Sequence, residues 1–188
     1  MARHRRQHSA FSYRLELGVI RLRDRFRPPA KVLAYAGVEP GMTVLDFGCG
    51  PGGFSLAAAQ VVGLEGLVYA LDVQPRALES VRRRATRRGI GNLRTISGDR
   101  IAEVPAESVD LVLLYDVLHI PAAPATPRAI LQSVHRVLKP GGALSVTDHH
   151  LQEAPLLSTV AGGGLFRSAG CNRGIFRFEK APAGEATP

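Results

Sequence analysis

One stretch, Val44-Leu45-Asp46-Phe47-Gly48-Cys49-Gly50-Pro51-Gly52-Gly53, constrains the fold of this chain more than any other. Residues 44–47 read as a short buried strand and residues 54–62 as a helix packed back on it, with the glycines allowing a tight turn between. Strand, Gly-rich turn and helix N-terminus are the parts of a nucleotide-type binding site. Gly48, Gly50 and Gly53 fit the dinucleotide spacing G-x-G-x-x-G. Asp46, two residues ahead of the first glycine, argues against a dinucleotide, because a carboxylate at the mouth of the turn would repel a pyrophosphate. It suits a ligand that carries positive charge and no phosphate, and S-adenosylmethionine is one.

Apolar segments continue in alternation with helical ones. Strands are expected at 67–71, ending at Asp72, at 93–96, at 109–115 and at 143–147. The segment 109–115 is nearly unbroken apolar sequence, as in a central parallel strand. Helices are expected over 29–36, 75–88 and 129–138, the last closed by Lys139-Pro140-Gly141, while Pro121, Pro124 and Pro127 mark a loop. Such alternation predicts an α/β doubly wound, mostly parallel sheet with right-handed crossovers. After one or two helical turns over 155–160, strands at 165–168 and 174–178 are joined by a polar link containing Asn172. That link is too short for a crossover helix, so the last strand should run antiparallel to its neighbour.

With 188 residues, 45% of them hydrophobic, the chain can bury one domain, expected over 28–180. A basic arm and helix at 1–27 precede it, and a disordered tail at 181–188 follows. Cys49 and Cys171 are too few for a disulfide framework and lack metal-ligand spacing. A reducing, cytoplasmic setting is expected, with no transmembrane segment and no metal. The net charge of +8 is almost all Arg, since Lys occurs only at Lys31, Lys139 and Lys180. Such a surface favours anionic partners, nucleic acid or anionic lipid, unless it is a solvated face.

The chain resembles the class I S-adenosylmethionine-dependent methyltransferases. The matching blocks are the glycine motif from Val44 to Gly52, Ala70-Leu71-Asp72, Gly98-Asp99, residues 110–119, and Val134-His135-Arg136-Val137-Leu138-Lys139-Pro140-Gly141-Gly142. The last two blocks look most like the ubiquinone and menaquinone biosynthesis methyltransferases. The resemblance implies a Rossmann-like, seven-stranded sheet with an antiparallel final strand, and S-adenosylmethionine as cofactor. It also implies roles by position. Gly48, Gly50 and Gly52, with Cys49 between, let the backbone approach the cofactor. Asp46 faces its methionine end, Asp72 its ribose hydroxyls and Val73 the adenine face. Asp99, beside Arg100, meets the adenine amino group, and Tyr115 and Asp116 border the methionyl portion.

His119, His149 and His150 follow strand ends that should face the cleft. An imidazole there could take a proton from a hydroxyl or an acidic carbon; the alternative is that these rings only line the pocket. The expected activity is methyl transfer to carbon, oxygen or nitrogen of a small molecule, anionic or lipidic if the basic N-terminal segment covers the pocket. RNA is a rival acceptor suggested by charge, although the chain lacks an Asn-Pro-Pro-Tyr-type signature. A non-catalytic S-adenosylmethionine-binding protein is a second rival, and a nicotinamide enzyme a third. The cleft is expected to be open, or closed by a partner subunit as in a homodimer. Arsenic methylation would need more thiols than Cys49 and Cys171 supply.

Overall fold

The structure, a computed structural model, describes residues 28–119 and 126–182. The expected N-terminal arm and helix, the loop prolines 121 and 124, and residues 183–188 of the tail lie outside the described residues.

Seven strands form one sheet: β1 Thr43–Phe47, β2 Leu67–Asp72, β3 Leu93–Ser97, β4 Val109–Tyr115, β5 Leu138–Thr147, β6 Phe166–Asn172 and β7 Ile175–Lys180. Their order is β3-β2-β1-β4-β5-β7-β6. The first five pair in parallel, and β7 lies antiparallel to both β5 and β6. The doubly wound sheet with an antiparallel last strand is therefore as the sequence predicts. Its order reverses at β1, with β2 on one side and β4 on the other, and ligands bind such sheets at that switch point.

Three helices cover one face: α1 Pro29–Ala36, α2 Gly53–Val62 and α3 Pro75–Arg87. Leu33, Ala58 and Val62 pack there on Val44, Val68 and Leu113, and Leu78 and Val81 pack on Ala70. Two further helices, α4 Pro127–Val137 and α5 Glu153–Ala161, cover the other face. There Ile130, Val134, Leu156 and Val160 meet Leu45, Val112, Leu144 and Phe178. The period-2 alternation of each strand supplies both layers at once.

Local chemistry explains where the elements depart from the sequence reading. Pro127 opens α4 rather than marking a loop: Thr126 is the N-cap, and its Oγ1 accepts from Ala129 N at 3.3 Å. Lys139-Pro140-Gly141 does not close that helix. Strand β5 already begins at Leu138, opposite Val109, and the register resumes at Ala143 opposite Leu111. The residues between form a bulge in which Gly141 takes φ 74°. The link between β6 and β7 is Arg173-Gly174, with φ 51° and 77°, a backbone that suits a tight hairpin. Asn172 belongs to β6. Helix α5 and strand β6 are both longer than expected, and a 3-10 helix over Gly98–Glu103 adds an element that the apolar pattern does not signal. Ala181 belongs to the fold: it is buried, and its N–H donates to Leu165 O at 3.0 Å.

Part of the basic charge caps backbone carbonyls. Arg177 Nη1 donates to Ala36 O at the end of α1 (2.9 Å), and Arg136 Nη2 to Ile101 O and Val104 O (2.9 and 3.0 Å).

Asp110 ties three elements at the sheet end opposite the switch-point loops. Its Oδ2 accepts from Thr43 N at 2.8 Å, and its Oδ1 faces Lys139 Nζ at 2.7 Å. The Lys139 ion pair is half in solvent and contributes little; the hydrogen bond from the β1 N–H stabilises more. Asp110→Ala is expected to lower unfolding free energy by about 1–3 kcal/mol, measured by urea titration, with S-adenosylmethionine binding unchanged.

Candidate active site

The turn after β1 is held by β2. Gly48 N and Cys49 N both donate to Leu71 O, at 2.8 and 2.9 Å. Gly50 N donates to Asp72 Oδ2 and Gln74 N to Asp72 Oδ1, each at 2.8 Å. Each carboxylate oxygen keeps a further lone pair for a hydroxyl donor.

The three turn glycines are needed for different reasons. Gly48, Gly50 and Gly52 have φ 82°, 50° and 84°. A Cβ on Gly48 would lie 2.6 Å from Val117 Cγ2, and one on Gly52 would lie 2.6 Å from Val81 Cγ2. These two glycines make room for protein. Only at Gly50 would the added Cβ meet nothing within 4 Å, so of the three it alone opens on free space. Gly53 is the first residue of α2, and Gly52 its left-handed N-cap. The spacing that matters is thus Gly48, Gly50 and Gly52, not the dinucleotide match to Gly53.

Asp46 is buried beneath the turn, where Ser55 Oγ of α2 donates to its Oδ2 at 2.5 Å. Burial pushes its carboxyl up to about 6; the Ser55 hydrogen bond opposes that rise and the charge of Asp72 adds to it. Asp72 is also raised by burial, against the N–H groups of Gln74 and Gly50. Among the described residues, neither carboxylate has a Lys or Arg partner. Cys49 is buried, and desolvation with the two nearby carboxylates drives its thiol far up, which disfavours the thiolate. Val73 is 43% exposed, unusual for a large apolar residue, and lies against the backbone of Gly98. Asp99 and Arg100 are at the start of the 3-10 helix, where Arg100 is exposed and pairs with Glu103.

Tyr115 departs from the expected position at the methionyl group. Its ring packs edge-on against Phe54 in the core, its hydroxyl bonds Ser145 Oγ at 2.9 Å, and burial raises its pKa. It supports the site from below. Asp116 has φ 54° and turns toward the loop after β5. Its Oδ1 accepts from His149 N and faces His149 Nδ1, both at 2.9 Å. The reciprocal pair is Asp148, whose Oδ2 accepts from His119 N at 3.1 Å and faces His119 Nδ1 at 3.0 Å. His150 N donates to Asp148 Oδ1 at 3.0 Å, and the rings of His119 and His150 lie 4.0 Å apart. The three candidate histidines therefore belong to one cluster at the ends of β4 and β5. Among the described residues no group of three or more His, Cys, Asp or Glu is arranged to hold a metal ion, and no helix is long and apolar enough to cross a membrane.

Sequence reasoning gives no role to Ser55 or Asp148. Ser55 is the one hydroxyl in the mostly apolar run Gly53–Val62, and Asp148 lies directly between a strand and two histidines. Each stands out as a polar residue where burial is expected, but nothing in the sequence names its partner.

A sheet of this order, carrying a glycine turn and a ring of carboxylates at its switch point, defines the Rossmann-like fold of the class I S-adenosylmethionine-dependent methyltransferases. The chain belongs to the methyltransferase-domain family, whose model, described as "Methyltransferase domain", matches residues 38–163. It is 35% identical over 129 residues to an arsenite methyltransferase of Halobacterium salinarum, covering 68% of this chain and 32% of the relative. It is 32% identical over 126 residues to a demethylmenaquinone methyltransferase of Geobacillus kaustophilus, covering 66% of this chain and 52% of the relative. The chain thus spans about a third to a half of the length of these curated relatives. In fold it is similar to a SAM-dependent methyltransferase from Aquifex aeolicus, with a TM-score of 0.69 and 24% identity over 81% of this chain and 88% of that one. S-adenosylmethionine is the cofactor of the class, and the residues fit it: Gly50 leaves space, two carboxylates lack cationic partners among the described residues, and Val73 offers an apolar face.

Asp46 makes this fit testable. The folded state holds its proton more tightly than the unfolded chain does. Stability therefore falls as pH rises from the ordinary Asp value of 3.8 through about 6, a loss on the order of 3 kcal/mol when complete. Asp46→Asn removes that loss. It is expected to unfold at higher temperature than the parent at pH 8 and at the same temperature near pH 3, while binding S-adenosylmethionine more weakly at pH 8. Differential scanning calorimetry across pH checks the first part and titration calorimetry the second.

Proposed function

We propose that this chain transfers a methyl group from S-adenosylmethionine to a small-molecule acceptor. The observation that carries the reading is the pair of carboxylates, Asp46 and Asp72, at the switch point with no Lys or Arg partner among the described residues. An anionic pocket of this kind favours a cationic ligand and disfavours the pyrophosphate of a nicotinamide cofactor. In this reading Asp72 accepts from the ribose hydroxyls, Val73 and Gly98 flank the adenine, Asp99 receives the adenine amino group, and Asp46 sets the potential at the methionine end. Bound S-adenosylmethionine supplies a methyl group already activated by a sulfonium. The chain then has to align the acceptor and exclude water, and alignment of this kind is worth roughly 7–11 kcal/mol in favourable cases.

A small molecule is favoured over RNA by where most of the exposed arginines of α3 lie. Arg76 is exposed at the start of the helix, but Arg82, Arg83, Arg87 and Arg88 are exposed along its C-terminal half and end. That helix starts beside Asp72 and runs away from it for 13 residues, ~20 Å at 1.5 Å per residue. Phosphates held there would sit at the far end of the sheet from the cleft. The two cysteines give arsenite no site either: Cys49 is buried under the turn, and Cys171 is exposed on the edge strand β6.

Titration calorimetry with S-adenosylmethionine is expected to show one site per chain. Asp72→Ala should weaken it at least tenfold, with unchanged far-ultraviolet circular dichroism. A radiolabelled methyl-transfer screen over phenols, quinone precursors, lipids and RNA should label small molecules. Unchanged binding in Asp72→Ala, or label only in RNA, would overturn the reading.

A further inference from the structure

The carboxylate of Asp148 is the feature that the donor site leaves unexplained. Its side chain is fully buried, yet among the described residues no Lys or Arg pairs with it. Three N–H groups converge on it: His119 N and His119 Nδ1 on Oδ2, and His150 N on Oδ1. A desolvated carboxylate is costly unless it is hydrogen-bonded or paired. The neighbour in direct contact that can carry a compensating positive charge is the His119 ring. With Nδ1–H donating to Asp148, the tautomer of His119 is set and the lone pair of Nε2 is free to accept a proton. No other hydrogen bond holds that ring among the described residues.

Position supports the same role. His119 lies two residues beyond Val117, whose side chain packs on Gly48 of the donor turn. The ring is 25% exposed, half-sheltered from water but reachable. His149 is the weaker candidate, since its ring is 45% exposed and its carboxylate partner, Asp116, is partly solvated. His150 lies over His119 as a wall.

We infer that His119 is the general base of the acceptor site, that Asp148 is its positioning residue, and that the acceptor is a weakly acidic hydroxyl compound, a phenol or an enol. The inference rests on the methyl-transfer reading above. A neutral amine already has its lone pair, and a carboxylate is ionised near neutral pH, so neither gains much from a base. A phenol, with a reference value near 10, is a weak nucleophile until it loses its proton, and an imidazole is matched to that transfer. As the acceptor oxygen, or the enol's carbon, bonds to the methyl carbon, the hydroxyl proton passes to His119 Nε2. The sulfur–carbon bond breaks, its electron pair stays on sulfur, and Asp148 faces the imidazolium so formed. The proton then leaves to water. Among the described residues, Asp148 bonds the ring, His150 lies against it, and Asp116 and His149 form the companion pair in the same cluster.

The test uses the full chain with radiolabelled S-adenosylmethionine and two probe sets, para-substituted phenols and a 1,3-dicarbonyl compound, with a primary amine as contrast. Product analysis tells oxygen from carbon methylation. His119→Ala should lower kcat on the phenols by roughly 10²–10⁴, with a much smaller change in KM. It should also abolish the acid limb of the pH profile. Asp148→Asn should lower kcat in the same direction. By ¹⁵N NMR of the ligand-free protein it should shift the His119 ring away from the Nδ1–H tautomer. Asp116→Asn, which loosens the companion pair, should keep the acid limb whatever its effect on rate. An unchanged pH profile in His119→Ala, an unchanged tautomer in Asp148→Asn, or label in the amine alone would overturn the inference while leaving methyl transfer intact. Failure to bind S-adenosylmethionine would overturn both.

Discussion

A single carbonyl, that of Leu71, anchors the functional end of this protein. It accepts the N–H groups of Gly48 and Cys49, so the chain leaving β1 is bent onto the end of β2 as soon as it clears the sheet. Asp72 then catches Gly50 N. From these bonds follow the left-handed glycines, the start of α2 at Gly53, and the presence of Ser55 over Asp46. The turn is at once the end of a strand and the cap of a helix.

Electrostatics at that end works against folding. Asp46 is held buried with one hydroxyl partner and a second carboxylate nearby, an arrangement that raises its proton affinity and destabilises the empty site. Such strain against stability is common where a site must favour a ligand. Elsewhere charge is used conventionally, with Arg136 and Arg177 satisfying helix-end carbonyls. The net charge of +8 is thus partly structural. Most of the exposed arginines of α3 lie away from the cleft, with Arg76 at the near end.

Much of the fold was legible because period and punctuation agree. The apolar runs of β1, β2 and β4, the proline that opens α3 and the glycines of the turn each admit few alternatives. The short link after β6 fixed the antiparallel β7. The sequence was misleading where one residue type serves two purposes. Pro127 begins a helix although prolines also break them, and Lys139-Pro140-Gly141 bulges a strand although such residues also end helices. In the site, Asp46 and the glycines were readable from spacing within one loop, and Asp72 from its place at the end of an apolar strand. Ser55, Asp148 and the inward turn of Tyr115 were not, because their partners are 9, 29 and 30 residues away in sequence. Only the three-dimensional neighbourhood tells a hydroxyl that lines a cleft from one that closes a core.

The two aspartate–histidine pairs cross: the loop after β4 supplies Asp116 to His149, and the loop after β5 supplies Asp148 to His119. Each loop is thereby clasped by the other at its root. Residues past the clasp can lengthen, shorten or change character without moving the imidazoles. A lineage built on this plan could remodel its loop tips alone and pass the two crossed pairs on unaltered.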